Sequence, residues 1–419
     1  MLQVLRNAWK VPELKKKILY TLLMLFIFRL ASFVPVPGVN TAVIGELVGN
    51  YSILGFLDTL TGGSLANYTI MAIGIQAYIS ASIIMNLLTV AIPALERLAK
   101  EEGGRKKINK LTSYVAIGLA FVQAIGITLS FGAEAVVDTS WFNYAVIAIC
   151  LTAGSMFAVW IGERITEGGV GNGVSLLIFI GIVSSILPAI GSLYTMVATG
   201  QLGFWMIIIL LAVILLLVTG VTYVDLGERK VPVQYAKKVV GRKIYGGQST
   251  HIPMKVNSTG VLPLIFASVI INFPGQIAEI ISRAEGSFYQ WYMRNLAGGT
   301  VLHMILYALL ILFFAYFYTM ISFNPVEISK NMQQYGGFIP GIRPGKPTSD
   351  YLTRISNRLT LFGAIFLALI AAIPTLFATY FGISSFGATS VLIMVSVALE
   401  TSKQLESQML MRHYKGFLK

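Results

Sequence analysis

The sequence predicts an all-α polytopic membrane protein of ten spans, and three observations carry that expectation. The chain has 419 residues, of which 56% are hydrophobic and only 12% charged; so little polar surface does not cover a soluble globule of that size. Ten apolar runs have the roughly 17 to 25 residues that an α-helix needs to cross about 30 Å of hydrocarbon. Finally, 28 of the 31 Lys and Arg residues fall on one side of the resulting topology.

The first run, 18–34, follows Lys15, Lys16 and Lys17 at the end of a cytoplasmic segment, 1–17. Its length, the internal Arg29 and the lack of a small-residue cleavage site favour a retained anchor over a signal peptide. Runs 70–92, 111–131, 142–161 and 174–190 complete an N-terminal half, 18–190. A C-terminal half, 203–404, holds runs 203–224, 261–281, 301–323, 359–377 and 386–404, followed by a cytoplasmic tail, 405–419. The last run is the weakest, because its unbroken apolar stretch ends at Leu399, before Glu400.

Lys and Arg beside spans are retained on the cytoplasmic side, which places both termini inside. Only Arg283 and Arg294 lie in loops on the opposite side, and Arg29 lies within a span. The same bias accounts for the net charge of +13 without nucleic acid, although a basic inner face can still dock something anionic. Five spans per half, an odd number, give the halves opposite orientations, the arithmetic of an inverted repeat. No residue-level self-similarity accompanies it, so topology permits the symmetry without demonstrating it.

Two features depart from plain spans. The stretch 51–68, YSILGFLDTLTGGSLANY, has an apolar part, 53–60, that is too short to cross. A re-entrant segment entering a wet vestibule and hinged at Gly62 and Gly63 fits it as well as an outer amphipathic turn of helix does. The second feature is the pair of long inner loops, 225–257 and 324–354. Connections of that length are functional or disordered, and their patterning favours order. Within the second loop, FIPGIRPGKPTSDY at 338–351 is too rich in Gly and Pro to read as helix.

Chemistry-bearing constellations are missing. GGVGNGVS at 168–175 resembles a phosphate-cradling loop but lacks the Lys-Ser/Thr ending and runs into a span, so a structural turn is the better reading. His251, His303 and His413 form no ligand-spaced pair, and neither HExxH nor GxSxG occurs. The one cysteine, Cys150, sits in an apolar run as a small core residue. No enzyme activity, metal or cofactor is therefore expected. A coupled transporter would place ionisable groups near the bilayer centre, whereas the mid-span residues include Ser82, Phe121, Thr152, Ile182, Ile214, Ile271, Leu312 and Ala368. That weakens a small-solute secondary transporter, which stays as the alternative, and leaves a conduit powered from elsewhere. Ile79 and Ile83 share a helix face, as do Val174 and Ile178; an apolar constriction would use them, but so would ordinary packing or lipid contact.

Four long motifs resemble the SecY family, the central subunits of bacterial protein-conducting channels. They are YISASIIMNLL at 78–88, EGGVGNGVSLLIF at 167–179, YAKKVVGRKIYGGQSTHIPMKVNSTGVLPLIFAS at 235–268 and FIPGIRPGKPT at 338–348. The resemblance implies two inverted five-helix halves closing as a clamshell, hinged between spans five and six, around an hourglass pore. It puts a waist ring at Ile79, Ile83, Val174, Ile178, Ile265 and Ile393, with Val174 departing slightly from a ring of isoleucines. It makes 53–68 a plug on the outer side of the ring, carried here by Ile53, Leu54, Phe56, Leu57, Thr61, Gly62 and Gly63. A lateral gate is implied between spans two and three on one side and seven and eight on the other, opening to membrane lipid; Asn86 and Asn272 are expected to hydrogen-bond across it, or else to be satisfied within their own helices or by pore water. The two inner loops become a docking platform for the motor ATPase SecA or a ribosome, with Arg343, Lys346, Arg242 and Lys243 as contacts. The implied function is translocation of unfolded secretory polypeptides, and lateral release of membrane helices, across the bacterial plasma membrane, in response to signal sequences and together with SecE and SecG. NSTG at 257–260 differs modestly from the family pattern.

Overall fold

The computed structural model describes residues 6, 8–50, 58, 61–200, 203–235, 238–240, 243–245, 249–257, 260, 262–282, 287–296, 300–381 and 388–416. Of the expected site residues, Ile53, Leu54, Phe56, Leu57 and Arg242 lie outside them, as do the side chains of Lys243 and Asn272.

Each of the ten apolar runs lies largely within a helix. The N-terminal half consists of α1 (Pro12–Ala31), α2 (Thr41–Asn50), α3 (Gln76–Ala91), α4 (Pro93–Lys100), α5 (Gly104–Ser130), α6 (Trp141–Gly168) and α7 (Gly173–Ala198). The C-terminal half contains α8 (Phe204–Leu226), α9 (Leu262–Ser282), α10 (Ser287–Asn295), α11 (Val301–Ser322), α12 (Pro325–Gln334), α13 (Lys346–Phe381) and α14 (Ala388–Gly416). Side-chain caps satisfy first-turn amides at four starts: Ser140 Oγ accepts from Asn143 N, Asn172 Oδ1 from Val174 N, Thr300 Oγ1 from His303 N, and Asn324 Oδ1 from Glu327 N. Among the described residues, six helices are long and apolar enough to cross a membrane singly, namely α5, α6, α7, α8, α11 and α13. The pair α3 and α4, bent by 101° at the residue before Pro93, makes a seventh.

The second span differs from its expected bounds. Residues 70–75 are not helical, because Gly74 has φ +54 and the stretch below it carries Gly62, Gly63 and Tyr68 at φ +69, +86 and +42, a backbone region closed to continuous right-handed helix. This segment is tied to the end of the first span instead: Val36 N donates to Tyr68 O at 3.0 Å and Ile70 N to Val34 O at 3.0 Å. Tyr68 is fully buried, with its hydroxyl 2.6 Å from Thr128 Oγ1 and its ring edge-on to Phe131.

The two long loops are joined by β-structure. Strands β1 (Glu228–Tyr235) and β4 (Ser249–Lys255) form an antiparallel ribbon, and β5 (Gly337–Phe338) pairs with the other edge of β1 through Gln234↔Phe338 and Tyr235↔Gly337. β2 (Lys238–Val240) and β3 (Lys243–Tyr245) form a separate small hairpin. Val231 and Val233 alternate inward from β1 and meet Met254, Met332, Ile339, Leu352 and Ile355 in a small core of their own. The expectation that 338–351 is wholly non-helical is corrected: α13 starts at Lys346, since Pro347 falls in the first turn, where no N–H is required.

Within the first half α5 packs along both α3 and α6, and in the second half α11 packs between α9 and α13. The halves meet where α14 lies on α7 and where α9 runs along α5 and touches α3. The largest buried cluster lies at that junction. Large apolar side chains such as Phe26, Leu211, Leu215, Leu216 and Phe313 point outward and are more than half exposed, the distribution expected when the solvent is lipid.

Candidate functional site

The six residues expected to form a ring come together in one apolar cluster. Ile79 and Ile83 are contributed by α3, Val174 and Ile178 by α7, Ile265 by α9 and Ile393 by α14. Ile83, Ile178 and Ile393 are buried, and the other three pack against them. Four elements, two from each half, thus each contribute aliphatic side chains to this cluster. Next to this contact lies a cavity lined by Ile79, Ile178, Ile265 and Ile393, together with Phe28, Leu177, Leu264 and Val269. Its few polar liners are Thr61, Gln76 and Ser268.

Thr61 brings the expected plug segment to the cavity wall. Asp58 and Thr61 are helical, Gly63 N donates to Asp58 O at 3.0 Å, and Gly62 adopts φ +69. That is a Schellman-type helix end, with a left-handed glycine directly after the last helical carbonyls. Asp58 Oδ1 accepts from Leu65 N at 3.0 Å and Ala66 N at 2.8 Å, folding the chain back beneath the turn. Burial pushes the Asp58 carboxyl above its ordinary value, against the opposing pull of these two donors. A Cβ on Gly62 would stand 2.9 Å from Gly181 O of α7, so the turn is seated directly on the backbone of a ring-bearing helix.

At the expected gate, Asn86 Nδ2 donates to Tyr318 Oη at 3.2 Å, joining α3 to α11. The amide therefore bonds across from α3 to α11, and the expected pairing with Asn272 lies outside the described residues. Tyr318 was not expected: Tyr307, Tyr316, Thr319 and Ser322 carry hydroxyls in the same span, so nothing local singles it out. Phe266 and Phe317 pack around it, with ring centroids 4.9 and 5.6 Å away.

In the second long loop, Arg343 and Lys346 are exposed. The turn presenting Arg343 is braced: Thr348 Oγ1 donates to Arg343 O at 2.9 Å, Ser329 Oγ to Gly345 O at 2.7 Å, and Ile342 N to Ile339 O at 3.0 Å. Gly341 and Gly345 have φ +80 and +94, which explains their identity. Deeper, Asp225 ends α8 and collects three partners from distant segments. Ser396 Oγ of α14 donates to its Oδ2 at 2.7 Å, Asn257 Nδ2 to its Oδ1 at 2.8 Å, and Lys403 Nζ to its carbonyl at 3.0 Å. Asn257 opens the NSTG stretch, so its side chain fastens the base of the ribbon to the end of α8, which Ser396 in turn ties to α14. GGVGNGVS is a connector between α6 and α7, with Asn172 as cap, and its glycines serve close backbone approach, as where Gly173 abuts Gly162 O.

A family model described as SecY matches residues 69–402. Relatives named protein translocase subunit SecY cover the full length of both chains: 42% identity for that of Streptomyces galbus, 41% for Aquifex aeolicus and 43% for Bacillus licheniformis. Among solved structures, one described as a protein conducting channel shares 19% identity and a TM-score of 0.69, covering 96% of each chain. Sec61 from a canine ribosome-channel complex shares 18% identity and a TM-score of 0.64, again over 96% of each chain.

Proposed function

The chain belongs to the SecY family, and from that premise we propose that the aliphatic waist between its halves is the seal of a channel for unfolded polypeptide. As a SecY-family member it is a multi-pass membrane subunit of a protein translocase, in a family of protein-conducting channels rather than of enzymes. The observation that carries the mechanistic reading is the gathering of six aliphatic side chains from four helices, two in each half, next to a cavity lined on one side by Thr61.

The residue types suit the task. Branched aliphatic chains bind no sequence tightly, rearrange around side chains of many sizes, and disfavour water and ions in a narrow gap. Residues 53–68 act as the plug, leaving their seat when a substrate enters from the inner side. Because α9 packs against α3 and α5, with Asn86–Tyr318 a polar clasp nearby, the same seam serves as the lateral gate to lipid. A hydrophobic signal sequence replaces the lost contacts there and so opens the gate selectively. Driving energy comes from outside the chain. Arg343 and Lys346 on their braced turn, with Arg242 and Lys243, form the platform for SecA or a ribosome, supported by relatives of the same fold solved on ribosomes. Such cationic contacts weaken with salt. SecE and SecG complete the assembly in the bacterial plasma membrane, with both termini cytoplasmic.

The test replaces Cys150 by Ser, introduces Ile83→Cys and stalls a secretory precursor carrying one cysteine midway across the membrane. The expected result is a disulfide to the precursor that forms only when it is stalled. With normal amounts of both proteins and a precursor shown to be stalled, absence of that disulfide overturns the assignment of the waist and returns the transporter alternative.

A further inference from the structure

Arg29 lies within the first span, unlike Lys403 at the very end of the last run, and nothing said so far of translocation uses it. An ionisable group at such a position is costly and calls for a partner. No carboxylate among the described residues pairs with it; its partner is a backbone carbonyl. Arg29 Nη1 donates to Gly62 O at 2.8 Å, and the guanidinium lies 4.7 Å from the centroid of the Phe33 ring, one turn further along the chain.

The acceptor is a specific one. Gly62 is the left-handed residue just past the last helical one, so its oxygen lies at the C-terminal end of this helical turn, where a cation is favoured. Gly62 is also squeezed from the other side, since a Cβ there would stand 2.9 Å from Gly181 O and 3.1 Å from Arg29 Nη1. Two elements of the N-terminal half, α1 and α7, therefore grip the same residue, one by a charged hydrogen bond and one by close packing. A hydrogen bond with an ionised donor is about twice as strong as a neutral one. The Phe33 face adds a second favourable environment for the cation.

We infer that Arg29 is a positioning residue that latches the turn at 61–63 in its seat, and so helps to set how strong a signal sequence is needed to open the channel. The inference rests on the reading of 53–68 as a plug. When the plug is seated, the guanidinium bridges α1 and the turn; when it leaves, the acceptor is lost and the head is released to water at the outer end of α1. Opening thus trades one charged hydrogen bond inside the protein for hydration, and a latch of this kind adds to the threshold without obstructing the path.

The experiment compares Arg29→Met, which keeps length and apolar bulk but removes charge and donors, with Arg29→Gln, which keeps one shorter neutral donor group. Both are assayed in membranes with the full set of translocase partners. The readouts are idle-channel ion leak, export of a precursor with a weakened signal, and export of a normal precursor. Losing the latch is expected to raise leak and weakened-signal export about ten-fold, with normal export changed less than about two-fold, and Arg29→Gln falling between. If either variant, at normal membrane level, shows wild-type leak and wild-type stringency, the latch is overturned. Deleting 53–60 separates the two layers of argument. Raised leak on deletion together with wild-type behaviour of Arg29→Met and Arg29→Gln removes only the latch, whereas unchanged leak on deletion removes the plug reading and the latch with it.

Discussion

Asn86 shows how much a single polar side chain decides inside lipid. Its amide meets the Tyr318 hydroxyl between two spans that must separate if helices are to leave sideways. An interhelical hydrogen bond in a membrane is worth about 0.6 to 2 kcal/mol, so Tyr318→Phe and Asn86→Leu should each shift the gate toward opening by about 1 kcal/mol. The expected outcome is several-fold better export of precursors with weakened signals, at unchanged membrane level, and no further gain in the double variant because the two changes remove one bond. Additive gains would mean that the two groups act separately. The amide itself was legible in the sequence as a polar group in an apolar run, but its partner was not. Residues 86 and 318 are brought together by the packing of two helices, and nothing local to either names the other.

Elements behave differently, because local sequence largely decides whether one forms and close contact decides where it sits. The apolar runs became helices since a span in lipid has no other way to satisfy its backbone. The segment 61–75 became a packed irregular turn since its glycines and Tyr68 lie at positive φ. What seats that segment is α6, where Ser155 Oγ donates to Gly74 O at 2.7 Å and Gly154 lies directly against Ile70 O. A side chain at 154 would overlap a backbone oxygen that has nowhere to move. Gly154→Val should therefore destabilise the N-terminal half by about 3 kcal/mol or more, seen as loss of protease-resistant protein from membranes. Gly118→Val in α5, where an added Cβ meets nothing within 4 Å, is the matched control and should accumulate normally. In the same way, the two inner loops read as separate ordered segments in the sequence, while β5 makes them one unit by pairing Gln234 with Phe338 across more than a hundred residues of chain.

For the whole molecule, orientation follows from the cations and closure follows from packing. In a Cys150→Ser background, Arg343→Cys should react with a membrane-impermeant maleimide only from the cytoplasmic side. Arg294→Cys, exposed on α10, should react only from the opposite side. Labelling of both from one side would overturn the arrangement of spans and with it the opposed orientation of the halves. Halves so arranged can share one apolar interface and still part along it. Branched aliphatic contacts have no directional bonds to break, whereas polar ties at Asp225 join α8, the ribbon base and α14.

By itself the residue order determined that the chain is a membrane protein and where most of its apolar helices lie, because hydropathy and helix length act within a few turns of chain; the cation bias gives an expected orientation, and the waist is an expectation from family resemblance. Only the tertiary structure decided that Tyr318 answers Asn86, that Arg29 answers Gly62, and that Asn257 and Ser396 share Asp225. Each of these bonds joins groups that sequence keeps far apart, and in a medium without water the choice of partner is made by which helices lie side by side.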